Sequence, residues 1–322
     1  MFSLVERRRT YYIFSSFLIV LGLAAMIYSV VSTGTLLQVS IDFTGGTLLS
    51  LQFTEKADEQ QIRDFMSEFG ADEVVVQKLQ AIEQTGSDAP TYPDGSRWSV
   101  RTNEFSAAEV TDLLNRISTD VAPLDREATS TSQVSAAVGD QVTRASFIAI
   151  LAATALILAF IYFAFRKVPH KFRYAVCAII AMIHDILIIV SAISVLGLIF
   201  GWQVDALFLT ALLTVVAYSV QDTIVVFDRI RENLPKRRDE AYELIVNRSV
   251  LETIHRSFAT QLNAVFVMIA IVLFGGETIR QFVLILLIGL TSGTYSSIFI
   301  AVPLLVSWSK GEIPFVEGDV NE

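Results

Sequence analysis

The sequence predicts an α-helical polytopic membrane protein with six membrane helices and one α+β domain between the first two of them. Hydrophobic residues make up 53% of the 322 residues and charged residues only 18%, and the mean hydropathy is +0.54. Soluble domains contain about 25% charged residues. The apolar residues form six blocks, each near the roughly 20 residues that a membrane helix needs. One long polar segment, 32–140, separates the first block from the second.

The six apolar blocks define the predicted spans. They are Tyr12–Val31, Ser146–Phe165, Tyr174–Phe200, Ala206–Phe227, Phe258–Phe274 and Gln281–Trp308. The first block follows three arginines, as the apolar stretch of a signal peptide also would. A cleaved signal peptide has an apolar stretch of only about 7–15 residues and a small-x-small cleavage site. This block is longer and lacks a clear site of that kind, so we expect a retained membrane anchor.

Basic residues in alternate connections orient the spans. The loop after the second span contains Arg166, Lys167, Lys171 and Arg173, and the loop after the fourth contains Arg229, Arg231, Lys236, Arg237 and Arg238. Cytoplasmic loops are enriched in Lys and Arg. We therefore expect both termini in the cytoplasm. The predicted parts are a cytoplasmic N-terminus with helix 1 (1–31), an extracytoplasmic domain (32–142), helices 2 to 6 (143–310) and a cytoplasmic tail (311–322).

The extracytoplasmic segment alternates strands and helices in the order of a ferredoxin-like domain. The predicted strands are Thr47–Phe53, Val74–Leu79, Arg97–Arg101 and Thr129–Val138, and the predicted helices are Ala57–Phe69 and Ser106–Ser118. Ser106 and Glu109 fit a capping box at the start of the second helix. The order β-α-β-β-α-β is typical of ferredoxin-like folds. Such a fold hosts many functions, so it names none.

The composition excludes several classes of function. The segment 32–140 contains 7 basic and 18 acidic residues, a net charge of −11 that disfavours nucleic acid binding. It contains no histidine and no clustered metal-ligand spacing, so we expect neither a catalytic nor a metal site. No Gly-x-x-x-x-Gly-Lys-Ser/Thr sequence occurs, so the chain is not expected to hydrolyse nucleotides. The single cysteine, Cys177, allows no intrachain disulfide. We expect work driven by a partner or by an ion gradient, with protons as the coupling ion and no other cofactor.

Polar side chains inside the spans are the candidate functional residues, because a charge at mid-helix costs about 2.5–3.5 kcal/mol in lipid. They are His184 and Asp185 in the third span, Tyr218, Ser219, Gln221 and Asp222 in the fourth, Arg256, Thr260 and Asn263 in the fifth, and Gly289, Gly293, Ser296 and Ser297 in the sixth. Helical spacing places Tyr218, Ser219 and Asp222 on one face. Arg256 shares a second face with Thr260 and Asn263, and it is the nearest cation that could pair with Asp222.

Each candidate has a structural alternative. Asp222 could form a purely structural ion pair or lie near hydrated headgroups, and Arg256 could anchor its helix at the headgroups. His184 and Asp185 could lie at the interface if the third span begins late. The Gly289-x-x-x-Gly293 motif is most simply read as close helix packing, which small residues permit.

Two strings resemble the SecF family of protein-export membrane proteins. The first is Ile41-Asp42-Phe43-Thr44-Gly45-Gly46, just after the first span. The second is the run Ala217–Asn233 in the fourth span and the loop that follows it. Further matches are Arg256-Ser257 with Thr260, and Gly289 to Ser297. The order of one span, an outer domain and five spans also matches, over nearly the whole chain.

The resemblance implies half of a membrane unit of the RND superfamily. SecF pairs with SecD, and the pair assists the SecYEG channel in exporting unfolded preproteins across the bacterial cytoplasmic membrane. It is thought to use the proton gradient after the SecA ATPase has driven the early steps. The family's membrane aspartate matches Asp222 and its basic residue at the start of span five matches Arg256. Gln221 stands where the family usually has Asn, so the amide is kept.

Two other classes of function remain open at this stage. One is a membrane scaffold whose outer domain binds a partner and whose Asp222–Arg256 pair is structural. The other is an RND-type transporter of small molecules that acts alone, although such exporters have about twice as many spans and two outer domains per chain.

We predict that positions 87 and 236 lie on opposite sides of the membrane, because basic residues are concentrated in the cytoplasmic loops. In a Cys177→Ala background, Ser87→Cys should react with a membrane-impermeant thiol reagent on intact cells, whereas Lys236→Cys should react only after the cells are opened. Reaction of both cysteines on intact cells would contradict the orientation.

Overall fold

A computed structural model describes residues 4–72, 74–79, 92–165 and 170–313. Arg166, Lys167, the label position Ser87 and most of the predicted tail lie outside these residues. The chain divides into two compact units. The helical unit comprises Met1–Leu36, Ile148–Val195 and Leu207–Glu322, and the sheet unit comprises Leu37–Phe147 and Leu196–Ala206. The sheet unit therefore includes a segment that the sequence assigned to the membrane part.

The elements follow one another in the predicted order. The helices are α1 Arg8–Thr33, α2 Ile41–Thr44, α3 Glu59–Glu68, α4 Ala107–Asp120, α5 Ala136–Ala164, α6 Lys171–Phe200, α7 Ala206–Asn233, α8 Tyr242–Phe274, α9 Glu277–Ser296 and α10 Val302–Ser309. The strands are β1 Gly46–Gln52, β2 Val75–Lys78, β3 Arg97–Thr102 and β4 Ser130–Val134. A π-helical segment, Ser297–Ala301, joins α9 to α10.

Six helices of the described chain are long and apolar enough to cross a membrane, which confirms the predicted number of spans. They cover Val5–Ser32, Ala136–Ala164, Lys171–Phe200, Ala206–Asn233, Tyr242–Phe274 and Ile279–Ser309. The fifth begins well before the predicted Phe258. Its added part is amphipathic, with Ile245, Val246 and Val250 buried, and amphipathic helices are missed when only unbroken apolar runs are counted. The sixth contains the π-helical segment within a run that the sequence predicted as one span.

Three aromatic rings lie at the centre of the largest apolar cluster in the helical unit. Phe165 and Tyr174 stack with their centroids 5.5 Å apart. Phe227 meets both rings edge-on, at 6.0 Å from Phe165 and 5.2 Å from Tyr174. Aromatic pairs of this geometry contribute about 0.5–1.5 kcal/mol beyond the burial of their area. The rings thus join the end of α5 to the first turn of α6 and to α7.

An ion cluster connects the start of α1 to the start of α8 and to the residues just after α10. Arg8 donates to Glu243 at 2.9 Å and to Glu312 at 2.5 Å, and Lys310 also pairs with Glu243. Arg8 is only 9% exposed, so these pairs are more than a screened surface contact. Its hydrogen bond lowers the pKa of Glu312 below the usual value. The cluster fixes the start of α1 against α8 and the end of α10.

The sheet unit has four strands in the order β2-β3-β1-β4, and every neighbouring pair is antiparallel. Leu49 of β1 lies opposite Val100 of β3, and Leu51 lies opposite Trp98. These side chains are buried against both helices of the domain, through Ile62 and Met66 of α3 and Leu113 and Ile117 of α4. The β-α-β-β-α-β order predicted from the sequence is present. The last strand ends at Val134, earlier than predicted, because α5 already begins at Ala136.

The capping box predicted at the second helix of the domain is formed. The hydroxyl of Ser106 accepts from the backbone N–H of Glu109, and the carboxylate of Glu109 accepts from the backbone N–H of Ser106 at 2.7 Å. These hydrogen bonds lower the pKa of Glu109. Both orphan N–H groups at the start of α4 are thereby satisfied.

The Ile41–Gly46 string forms a short helix and a left-handed turn within the sheet unit. Gly45 and Gly46 have φ angles of +71° and +116°, which favour glycine. A Cβ atom added at Gly46 would lie 2.4 Å from the carbonyl oxygen of Thr102. The carboxylate of Asp42 accepts from the backbone N–H of Ala206, the first residue of α7, at 3.1 Å. This string is therefore explained by backbone geometry and helix capping.

We predict that the segment Thr35–Gly139, expressed alone, unfolds cooperatively and that Gly46→Ala destabilises it by roughly 3 kcal/mol. Alanine at a positive φ costs about 1–3 kcal/mol, and the clash with Thr102 adds to that cost. Gly70→Ala is the matched control, because Gly70 has a φ of +91° with open space around its Cβ position. Chemical denaturation followed by circular dichroism measures both. Equal losses in the two variants would show that the close approach contributes nothing.

Candidate functional site

The deepest polar group of the helical unit is the carboxylate of Asp185 on α6, which is fully buried. Its Oδ2 accepts from the hydroxyls of Ser219 at 2.5 Å and Ser296 at 2.6 Å. Its Oδ1 accepts from the hydroxyl of Ser292 at 2.7 Å and lies 3.1 Å from Nδ1 of His184. Two partners on each oxygen fill the acceptor positions of a carboxylate. Asp185 therefore joins α6, α7 and α9, and it does not lie at a span end.

The two glycines of α9 make this junction sterically possible. A Cβ atom at Gly293 would lie 2.9 Å from the Cβ atom of Ser219, and one at Gly289 would lie 2.4 Å from Cγ2 of Val215. Close approach of helix backbones at small residues is typical of membrane bundles. This approach brings Ser292 of α9 within reach of Asp185, so packing and polar contacts depend on the same positions.

A second buried carboxylate, Asp222, lies three residues after Ser219 on α7 and is 8% exposed. Its Oδ2 accepts from the side-chain amide of Gln261 on α8 at 2.6 Å. Asp222 differs from Asp185 in having an amide as its closest partner.

The π-helical segment touches α7 at the same level. The hydroxyls of Thr223 and Ser297 lie 2.7 Å apart, and the Ser297 hydroxyl also donates to the carbonyl oxygen of Ser219 at 3.1 Å. π-helical turns are rare and are frequent at functional sites. Ser296, the last residue of α9, and Ser297, the first of this segment, point at different partners, namely Asp185 and Thr223.

Asp222 is not paired with Arg256 among the residues that the structure describes, contrary to the sequence prediction. Gln261 lies next to the carboxylate instead. Five residues along an α-helix correspond to roughly 140° of rotation about its axis, so Arg256 and Gln261 face different directions. Arg256, Thr260 and Asn263 are all exposed in this chain.

The polar side chains predicted in the fourth span are not all buried. Ser219 and Asp222 are buried, whereas Tyr218 is 46% exposed and Gln221 is exposed. Together with Arg256, Thr260 and Asn263, these two side chains form what we call the open polar face of α7 and α8. A cavity of about 430 Å³ adjoins Arg256. It is lined by Ile224, Val225, Asp228, Arg229, Glu232, Glu252, Thr253 and Arg256.

The burial of Gln261 could have been predicted from the spacing of the polar residues on α8. Thr253, Ser257 and Gln261 recur at i, i+4 and i+8 and are all buried, which is the pattern of one helical face. Arg256 was predicted to be the partner of Asp222 because of its charge. In a membrane bundle, an uncharged polar stripe is the better indicator of the interior face, since its side chains need partners there.

Buried ionisable side chains inside a bundle of membrane helices are typical of proteins that move ions or substrates across a membrane. The described fold and site together define a polytopic membrane transport protein with one inserted α+β unit.

Comparisons with known proteins give the family. Residues 114–311 match the family described as protein export membrane protein SecD/SecF, C-terminal. The protein translocase subunit SecF of Thermobaculum terrenum is 42% identical over 311 residues, covering 96% of this chain and 95% of the relative. SecF of Anaerolinea thermophila is 40% identical over 317 residues, covering 97% and 96%. The chain belongs to the SecF family.

Solved structures agree with the family at the level of the fold. The crystal structure of SecDF, a translocon-associated membrane protein from Thermus thermophilus, matches 96% of this chain with a TM-score of 0.76 and 28% identity. SecDF in its super-membrane-facing form matches 97% with a TM-score of 0.63 and 29% identity. This chain spans 39% of the length of each of those SecDF chains.

We predict that Gly293→Ala destabilises the helical unit, because the added Cβ atom pushes α9 away from Ser219 and weakens the hydroxyl contacts to Asp185. A loss of about 2 kcal/mol is expected for overpacking of this kind. Gly276→Ala is the control, since Gly276 has open space around its Cβ position. Thermal unfolding of the purified chain in detergent measures both. A normal midpoint for Gly293→Ala would contradict the close packing.

Proposed function

We propose that this chain is the SecF subunit of a SecD–SecF complex that couples the proton gradient to protein export. The complex would act on unfolded preproteins at the SecYEG channel, after SecA has driven the early steps. Two observations support the family part of this proposal. The relatives are named protein translocase subunit SecF, and the solved SecDF is described as translocon-associated.

The buried carboxylate of Asp222 carries the proton-coupling part of the proposal. Its closest partner is the neutral amide of Gln261. An amide N–H can donate to one carboxyl oxygen whether the other oxygen carries a proton or not. The site can therefore hold the acid and its carboxylate without losing that contact. A structural ion pair would instead require a cation beside Asp222.

The open polar face of α7 and α8 supports a membrane partner. It exposes Tyr218, Gln221, Arg256, Thr260 and Asn263 within or beside membrane-spanning segments. Polar groups that face lipid are costly, so such side chains face protein or a water-filled cavity. We infer that SecD covers this face in the complex. Arg256 would then lie near the subunit boundary, where movement of either subunit could bring its charge toward or away from Asp222.

The sheet unit is proposed to be a ferredoxin-like domain on the extracytoplasmic side of the bacterial cytoplasmic membrane. Its strand order and its two helices on one face support the first part. The concentration of basic residues after spans two and four supports the second part, together with a cytoplasmic location of both termini. The domain would contact emerging preprotein or move with its SecD counterpart.

A membrane scaffold is the second candidate function, favoured by the number of hydrogen bonds that the two carboxylates make. Asp185 has partners on both oxygens, and Asp222 is held by Gln261. The sole role of carboxylates held in this way could be to join helices. The two functions differ in what removal of the ionisable group should do.

We predict that Asp222→Asn inserts and assembles with SecD normally but loses the gradient-dependent part of export, because an amide keeps the shape of the carboxyl group and cannot ionise. Export is measured with a secreted reporter in cells and in inverted membrane vesicles, with and without a proton gradient. Asp228→Asn is the matched control. Asp228 lies on the same helix and pairs with Arg231 at 2.5 Å on a partly exposed surface.

Arg256→Met is expected to impair export as well. The scaffold reading expects Asp222→Asn to assemble poorly. Full gradient-dependent export by Asp222→Asn would contradict proton carriage by Asp222, since no ionisable group would remain at that position.

A further inference from the structure

We propose that His184 and Asp185 form a second proton-binding site in the helical unit, in which Nε2 of His184 takes up and releases the proton. The binding of the proton rests on the geometry of the dyad alone. Its link to export rests on the proposed function.

The carboxylate of Asp185 needs a compensating positive charge. It is fully buried, and a buried ionised carboxylate is strongly unfavourable unless it is paired as well as hydrogen-bonded. Within the described chain, its side-chain partners are three serine hydroxyls and the imidazole of His184. Hydroxyls donate hydrogen bonds and carry no charge, so the imidazole is the partner that can become a cation.

The orientation of His184 defines which nitrogen exchanges the proton. Nδ1 lies 3.1 Å from Oδ1 of Asp185, in position to donate to it. A ring that donates from Nδ1 and is neutral presents Nε2 as an acceptor. Nε2 is buried, and no described group hydrogen-bonds to it. Native structures rarely leave a buried polar atom unpaired without a functional reason, and an acceptor that receives a proton provides one.

The two states of the dyad differ by one proton and one unit of charge. In the loaded state, an imidazolium faces a carboxylate and the pair is neutral. In the unloaded state, the proton has left Nε2, the Nδ1–H still donates to Asp185 and the pair carries one negative charge. The three hydroxyls of Ser219, Ser292 and Ser296 support the carboxylate in both states. Loss of the proton therefore raises the electrostatic cost of keeping α6, α7 and α9 together.

Few other titratable groups surround the imidazole in the described contacts. Tyr295 of α9 stacks on it with the ring centroids 6.1 Å apart. The Tyr295 hydroxyl donates to the carbonyl oxygen of Tyr11 on α1 at 3.2 Å. On α7, Ser219 is the contact to the dyad, and Asp222 follows three residues later. Asp185 is thus the charged group in direct contact with His184.

The dyad shares its neighbours with Asp222, which gives the two sites a route for coupling. Ser219 donates to Asp185 and lies on the same face of α7 as Asp222, three residues before it. A shift between α7 and α9 that accompanies loading of one site would change the contacts of the other. If the proposed function holds, the dyad adds a second proton to the export cycle.

Nuclear magnetic resonance of ¹⁵N-histidine tests the proposal on the full chain with SecD in lipid nanodiscs. The sequence has three histidines, so His170→Gln with His255→Gln leaves His184 as the single probe. The neutral ring gives one pyridine-type and one pyrrole-type nitrogen, and the imidazolium gives two of the pyrrole type. Between about pH 5 and about pH 8, His184 should pass reversibly from the second pattern to the first.

Four variants separate the proposal from a structural role. Asp185→Asn should leave the imidazole neutral over the whole range. Ser296→Ala should move the midpoint of the titration, whereas Ser194→Ala, which removes a buried hydroxyl of α6 that hydrogen-bonds to no described group, should not. Asp222→Asn should leave His184 titrating even where export is lost, so failure of the export proposal is distinguishable. A ring that keeps one protonation state, or that titrates unchanged in Asp185→Asn, would overturn the proposal.

Discussion

The junction of α6, α7 and α9 depends on one carboxylate that has no access to solvent. Asp185 accepts hydrogen bonds from one hydroxyl of α7 and two of α9. These contacts form only because Gly289 and Gly293 let α9 approach closely. Between helices that face lipid, apolar surface gives little driving force, so close packing and internal hydrogen bonds hold the bundle. The junction also fixes the position of Asp222, since Asp222 lies on the same face of α7 as Ser219.

The sheet unit is held together by different forces. Its core is an apolar layer between one face of the sheet and two amphipathic helices, which is the ordinary driving force of a soluble domain. Its glycine string is required by backbone geometry at Gly45 and Gly46. A single chain therefore contains one unit stabilised by burial of apolar surface and one stabilised largely by directional contacts, and substitutions in the two units should be judged by different rules.

Sequence patterns predicted the spans and the order of strands and helices along the chain, because both depend on periods that a linear string displays. The partner of Asp222 could not be found in that way, since Arg256 and Gln261 lie on one helix and only its rotation decides which of them faces α7. The contacts of Asp185 depend on three helices that are distant in sequence. Ser296 and Ser297 were visible as polar residues in an apolar run, yet the π-helical turn that begins at Ser297 leaves no periodic trace.

That π-helical turn gives the sixth span a property that a regular helix lacks. It holds one more residue per turn than the α-helix around it. Removal of one residue from this segment would rotate every residue after Ala301 by about 100° about the helix axis. The contact of Arg8 with Glu312, just beyond α10, would then be lost. The length of Ser297–Ala301 therefore sets the direction in which the end of the chain meets α1.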